Sequence, residues 1–381
     1  MEPYLPNYLK GKNRRLVFDL LRERGQMSRA EITRDTGMSF PTAMKVVDAF
    51  LEKGLLVELD ETGPAAGAGR KGRLLRFEPG AYRAVGVECE GRFARVGLAD
   101  MAGGVQARET IELGDFARTR DLSPLAAAIR RMCAAANGAP VLGVCIGFPA
   151  NLDPDAAAIV SYAAMDIQQP TSFAQVFPAF WREVELPVYL ENDANLACEG
   201  EAFLRRGAGG AANMLYLSIG SGCGGAVRLD GKLRRGARCR AGEVGAMLLQ
   251  PALGAPGRSA ARETLEDAVC LAALERRFGA ALRDGAQPGE ASAQAMRDYL
   301  CGPLSGAVYS LVMTLDVELC VLAGIVPGAL GMQLCTQVSE ALRAALPEST
   351  PVRVEPSVSA DAGVIGAAAT VFERSLDALL G

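Results

Sequence analysis

The sequence predicts a mixed α/β chain: a small helical head closed by a two-stranded hairpin, followed by an α/β body of two lobes around a cleft. Three observations predict it. A capping box and two glycine stops divide residues 13–53 into three helices. From Ala84 the pattern changes to strands alternating with helices. Charge changes with it: residues 1–83 carry 15 Lys+Arg against 11 Asp+Glu, and the remainder 25 against 33. A basic head on an acidic body suits a nucleic-acid-reading module joined to a sensing one.

Residues 13–24 place Leu16, Val17, Leu20 and Leu21 on one helical face, and Gly25 stops the helix. Ser28-Arg29-Ala30-Glu31 is a capping box that opens a helix from Arg29 to Thr36, closed by Gly37. Ser39 is the next N-cap; its helix runs to about Lys53 with Val46, Val47, Phe50 and Leu51 turned inward. Residues 54–59 read as a strand, Thr62–Gly69 as a loop and Leu74–Phe77 as a returning strand. Helix, tight turn, helix and basic hairpin together read as a winged helix-turn-helix over residues 1–80. Ser39, Phe40, Thr42 and Lys45 at the start of the recognition helix are the expected base-edge or phosphate contacts, and Arg70, Lys71 and Arg73 the wing contacts. The alternative is a protein-contact domain with a solvated basic loop. The expected partner is a double-stranded DNA operator.

In the body, strands are expected at 84–88, 94–99, 141–147, 188–190, 214–220, 224–229 and 319–323. Helices are expected near 122–136, 194–205, 262–279, 302–317, 329–345 and 361–374. The first lobe is assigned to 81–195 with the C-terminal helix of about 361–381, and the second to 196–360. Ligands in such folds lie at the C-terminal ends of strands. Asn192 and Asp193 follow one strand, the hairpin glycines Gly220, Gly222 and Gly224 join two others, and Glu243 stands on a glycine-flanked loop. A carboxylate can accept two hydroxyl hydrogen bonds or take one proton, so Asp193 suits a polyhydroxylated ligand; it could also simply cap the helix that follows.

Composition narrows the chemistry. The 381 residues suit two or three domains, half are apolar, and no apolar run is long enough to span a bilayer. The charged N-terminus lacks a secretory core, so a cytoplasmic protein without membrane contact is expected. Ten scattered cysteines share no metal-binding spacing and read as buried thiols. There is no histidine, which rules out Ser–His nucleophile pairs and His–Cys zinc sites.

Taken together, Ile146–Pro154, Leu190–Asn195, Ser218–Gly225, Asp230–Lys232, Ala241–Gly245, Glu263-Thr264 and Asp361–Ala367 resemble the ROK family (repressors, open reading frames and sugar kinases), specifically its winged-helix regulators. The resemblance implies an actin-like, ribonuclease-H-type body, a hexose-type carbohydrate ligand and a homodimer or higher homo-oligomer. It implies sugar-binding roles for Asn192, Asp193, Glu243 and Glu263, with Asp193 the base if the chain is a kinase. Three departures from the kinases stand out. The first phosphate loop reads Glu88-Cys89-Glu90-Gly91-Arg92-Phe93 instead of an Asp-x-Gly-Gly-Thr pattern. Like charges about 4 Å apart repel by on the order of 4 kcal/mol at an effective dielectric of 20, which disfavours nucleotide unless Arg92 neutralises Glu90. The zinc motif is absent: Ala246 replaces the histidine and residues 247–262 hold no cysteine. The adenine-side glycines survive only as Ala323-Gly324 and Pro327-Gly328. A catalytically silent, sugar-responsive regulator needing no metal or cofactor is expected; the alternative is an ATP-dependent sugar kinase with an accessory DNA-binding head.

Overall fold

A computed structural model describes residues 6–62, 73–206, 210–249, 263–279, 282 and 288–380. The head begins with α1 (Pro6–Arg24), seven residues earlier than periodicity indicates. Then come β1 (Gln26–Ser28), α2 (Arg29–Thr36), α3 (Phe40–Glu52), β2 (Leu56–Thr62) and β3 (Arg73–Phe77). The capping box forms as expected: Ser28 Oγ accepts from the Glu31 amide at 3.3 Å and Glu31 accepts from the Ser28 amide at 2.8 Å. Gly37 closes α2 with φ 66°, a conformation that favours glycine. Ser39 has the backbone of an N-cap but no capping bond; its hydroxyl pairs with that of Thr42 at 2.8 Å. The inward face of α1 is Val17, Phe18 and Leu21, whereas Leu16 is exposed. The strands of the head form a three-stranded sheet of order β1-β3-β2.

The first lobe holds β4 (Arg83–Glu90), β5 (Phe93–Asp100), β6 (Val105–Glu112), α4 (Phe116–Thr119), α5 (Ser123–Ala135) and β7 (Val141–Phe148). A small sheet follows, β8 (Asn151–Asp153), β9 (Ala158–Ser161) and β10 (Thr171–Ser172). Then come α6 (Phe173–Val176), α7 (Pro178–Glu183), β11 (Val188–Asn192) and α8 (Asp193–Leu204). The second lobe has β12 (Met214–Ile219), β13 (Cys223–Leu229), β14 (Lys232–Leu233), α9 (Leu265–Val269) and α10 (Leu271–Phe278). It ends with α11 (Glu290–Leu315), β15 (Leu319–Ala323), α12 (Ile325–Ala345) and β16 (Arg353–Pro356), and α13 (Ala362–Leu380) follows. The segment expected to be one helix over 262–279 is two, because Cys270 is extended at φ −68°, ψ 162°.

The two five-stranded sheets run β11-β7-β4-β5-β6 and β14-β13-β12-β15-β16. Each is an antiparallel hairpin followed by parallel strands, so the same plan is built twice. The turn after β4, Gly91-Arg92, is therefore equivalent to the turn after β12, Gly220–Gly222. Each lobe has its own apolar core. A third core is shared: Val17, Phe18, Leu21 and Phe50 of the head are continuous with Val371, Phe372 and Leu376 of α13.

Helices α8 and α13 cross between the lobes at glycines. A β-carbon on Gly200 would lie 1.8 Å from the Ala362 carbonyl oxygen, and one on Gly366 1.9 Å from that of Leu196. That close approach fixes α8, which begins at Asp193, against the first turns of α13.

Candidate functional site

The lobes face each other across a cleft of about 1140 Å³. Its walls include Glu88 and Glu90 from the end of β4, Asn192 and Asp193 from the β11–α8 junction, the hairpin Gly220–Gly224, and Glu243. The strand ends meet there because both sheets point their parallel strands toward the gap.

The β11–α8 corner is held from below. Glu191 is 3% exposed, and its carboxylate accepts from the Asn192 amide at 3.0 Å, Asn195 Nδ2 at 2.9 Å and Arg235 Nε at 2.6 Å. Asn192 is the N-cap of α8: its Oδ1 accepts from the Asn195 amide at 3.1 Å, while Nδ2 donates to the Ala150 carbonyl at 3.3 Å. Capping thus falls to Asn192 and not Asp193. Asp193 is the first residue of the helix; its Oδ1 accepts from the Ala194 amide at 2.9 Å. Burial, with Glu90 and Glu243 nearby, pushes its carboxyl up to about 6.

Glu243 rides on a turn pressed against β13. Gly242 has φ 97°, and a β-carbon on Gly245 would be 2.1 Å from the Cys223 carbonyl oxygen. These contacts explain why glycines flank the acid. Asn151, on β8, completes this corner: oriented so that both ends of its amide are paired, it donates to Glu243 Oε1 at 2.7 Å and to the Cys239 carbonyl at 3.2 Å.

Two expectations about this site meet a different arrangement among the described residues. Glu263 is exposed and is not on the cleft wall; Glu266 is there instead, accepting from the Cys223 amide at 2.8 Å. Arg92 does not neutralise Glu90. It pairs with Glu112 at 2.7 Å, and Arg95 reaches Glu88 at 3.0 Å and Glu90 at 3.5 Å. The wing residues Arg70 and Lys71 lie outside the described residues, as do 250–262 of the rebuilt loop. Arg73 is exposed, 3.5 Å from Glu58. Ser39, Phe40 and Lys45 are exposed at the start of α3 and Thr42 is half-buried beside them.

The phosphate-loop equivalents are occupied by carboxylates. A β-carbon on Gly220 would lie 2.9 Å from Glu90 Oε1, and one on Gly222 2.9 Å from Glu266 Oε2. Glu88 packs on the start of α13, where a β-carbon on Gly363 would lie 2.3 Å from its carboxyl carbon. Burial, reinforced by Glu90 and Asp193 against the pull of Arg95, pushes Glu88 up to about 7. Ala323, Gly324, Pro327 and Gly328 line the far end of the cleft. Among the described residues no group of three His, Cys, Asp or Glu side chains could hold a metal ion, and no helix is long and apolar enough to cross a membrane.

These raised values set a pH dependence. Both carboxyls titrate higher in the folded chain than unfolded, so their contribution to stability is fully present below about pH 4. It is lost as pH rises through about 6 for Asp193 and about 7 for Glu88. The melting temperature is expected to be higher at pH 5.5 than at pH 8, and Glu88→Gln should flatten that difference. An unchanged difference in the variant would remove Glu88 as its source.

Two matching sheets, a crossed helix pair and a polar cleft between lobes define an actin-like α/β body. A family model described as "ROK family" matches residues 84–374, and the chain belongs to the ROK family. The chain is 27% identical over 241 residues to a xylose repressor of Caldicellulosiruptor bescii, covering 62% of this chain and 58% of that protein. It is 34% identical over 141 residues to a glucokinase of Halalkalibacterium halodurans, covering 35% and 40% respectively. The chain therefore spans less than two thirds of the length of these curated relatives. Among solved structures, a ROK family transcriptional regulator described as a homolog of the E. coli Mlc protein superposes with TM-score 0.77 at 17% identity, covering 98% of both chains. A ROK glucokinase from Streptomyces griseus, in complex with glucose and AMPPNP, superposes with TM-score 0.59 at 22% identity, covering 75% of this chain and 98% of that one. At these identities the two structures speak for the fold alone.

Proposed function

We propose that the protein is a sugar-responsive transcriptional regulator, a repressor, whose kinase-like body no longer transfers phosphate. The observation that carries this reading is the pair of carboxylates, Glu90 and Glu266, seated on the hairpin where glycines would otherwise leave room for phosphate oxygens. The similarity to a xylose repressor over 241 residues supports it. Asn192, Asp193 and Glu243 would hold the sugar. No cofactor enters the reading. The molecule would act as a homodimer or higher homo-oligomer in the cytoplasm, its head (1–80) on paired half-sites of a DNA operator and its lobes (81–195 with 361–381, and 196–360) closing on ligand.

The route from cleft to head runs along one helix. Asp193 begins α8, and Phe203 near its other end lies under the Arg22 guanidinium of α1, 4.8 Å from the ring centroid. Arg206 covers the same ring at 3.9 Å. The neighbouring α13 holds α1 through Arg15–Glu373 at 2.5 Å and the Arg14 bond to the Leu380 carbonyl at 2.7 Å. Closure of the lobes on a sugar would thus shift α8 and α13 together and reorient the paired recognition helices, a population shift between binding-competent and released states.

The test is a mobility shift of the full chain on DNA from the region upstream of its own gene, with and without a panel of pentoses, hexoses and their amino derivatives. Retarded DNA whose affinity changes with one sugar is the expected result. Lys45→Ala should weaken binding on all sequences and lower the salt slope by about 1; no retardation of any upstream fragment would sink the regulator reading.

A second reading, an ATP-dependent sugar kinase with a DNA-binding head, draws on Asp193, whose raised carboxyl would suit a general base near neutrality. Sugar-dependent ATP turnover that Asp193→Asn abolishes would replace the first reading with this one.

A further inference from the structure

A small cavity of about 30 Å³ opens beside the cleft and shares Asn151, Asn192, Gly224 and Glu243 with it. That is room for one small polar group. Asn195 lines its inner wall, is 7% exposed, and its Oδ1 has no hydrogen-bond partner. The amide cannot be turned the other way: Nδ2 donates to Glu191, whose carboxylate is an acceptor only. The free buried atom is therefore an acceptor.

The remaining polar groups of this corner point to the same conclusion. Asn192 Nδ2 donates to the Ala150 carbonyl, and the paired orientation of Asn151 sends its donors to Glu243 and the Cys239 carbonyl. Both donors of Asn151 are thus committed inside the protein, and Asn192 commits one of its two. Asn195 Oδ1 is free, and the Glu243 carboxylate keeps lone pairs to offer. A hydroxyl or an amide presents an acceptor as well as a donor, whereas an ammonium presents three donors and no acceptor.

Charge agrees. Among the described residues, six acidic side chains line the cleft against two guanidiniums, those of Arg95 and Arg240. Arg95 is divided between Glu88 and Glu90. Arg240 contacts Ser161 Oγ at 3.3 Å. Among the described residues the acids are not grouped to hold a metal ion, so an organic cation fits them better than a divalent one.

We propose that the effector is a cationic sugar, a monosaccharide carrying a primary ammonium group that seats between Asn195 Oδ1 and Glu243. This rests on the sugar-binding reading above and deepens it by naming the ligand class. The small cavity admits an ammonium and not an acetamido group, and the acidic cleft disfavours a phosphorylated sugar.

The experiment is titration calorimetry of the full chain with glucosamine, galactosamine and mannosamine, their N-acetyl counterparts, the parent hexoses, and ethanolamine as an amine without a ring. At least one amino sugar should bind about tenfold or more tightly than both its parent and its N-acetyl form. Asn195→Ala and Glu243→Gln should each bring that ratio close to one. The Gln variant keeps the side-chain shape, so the ratio can be read even if the buried Asn195→Ala does not fold. Equal binding of parent or N-acetyl sugars would overturn the ammonium site and leave the sugar reading standing. Binding of none of the sugars would overturn both, and ethanolamine binding as tightly as the amino sugars would overturn the sugar as the carrier of the charge.

Discussion

Gly200→Ala is expected to lower the melting temperature steeply or leave no soluble protein, although local propensity argues the other way. In a helix interior, alanine is favoured over glycine by about 1 kcal/mol, chiefly because the unfolded chain is stiffer. Packing opposes this. The new β-carbon would sit 1.8 Å from the Ala362 carbonyl oxygen, a backbone atom that no rotamer change can move. Relief requires α8 and α13 to separate, which would also open the contacts that Gly366 makes with Leu196. Overpacking of this kind reaches the exceptional range of roughly 4–5 kcal/mol, so the clash outweighs the propensity gain. Gly306→Ala, on the exposed face of α11 with no atom within 4 Å, supplies the contrast: there the propensity gain should appear unopposed. Thermal melts of the two variants decide the matter. A Gly200→Ala protein as stable as the parent would show that the crossing is looser than these distances imply.

Sequence-local features were legible and side-chain direction at a distance was not. The Ser28–Glu31 capping box could be read because all its partners lie within four residues. The same logic bears on which acid of this segment faces the hairpin. Thr264 and Asp267 form a second capping box, which starts α9 at Leu265 and turns Glu266, rather than Glu263, toward the hairpin. The Arg95 pairing was also recoverable: a two-residue turn between Glu90 and Phe93 sets Glu88 opposite Arg95 in the antiparallel register. No local signal announces the docking of α1 on α13, since Arg14 and Leu380 stand 366 residues apart. Nor could spacing show that Asn195, in the first turn of α8, leaves a buried oxygen free, because that depends on Glu191, Asn151 and Asn192 together.

Glu90→Gly is expected to raise the affinity of the body for ATP. Glu90 Oε1 faces Gly220 across the hairpin, and Arg95 is shared with Glu88, so one positive charge answers two carboxylates. An approaching phosphate would meet a like charge at contact distance, worth about 4 kcal/mol at an effective dielectric of 20. The Glu90 side chain is 35% exposed, and solvent screening cuts that to about 2 kcal/mol, or roughly thirtyfold in affinity. The gain should not extend to turnover. Glu266 still occupies the Cys223 amide, and Glu88, longer by one methylene than the aspartate of the kinase pattern, still lies packed on Gly363. Displacement of a fluorescent nucleotide by magnesium–ATP measures the first effect and a coupled ATPase assay the second. Nucleotide affinity equal in the two proteins would show that the Glu90 charge is not what bars the phosphates. Sugar phosphorylation by the parent chain would show that nothing bars them at all, and that the carboxylates on the hairpin move aside when nucleotide arrives.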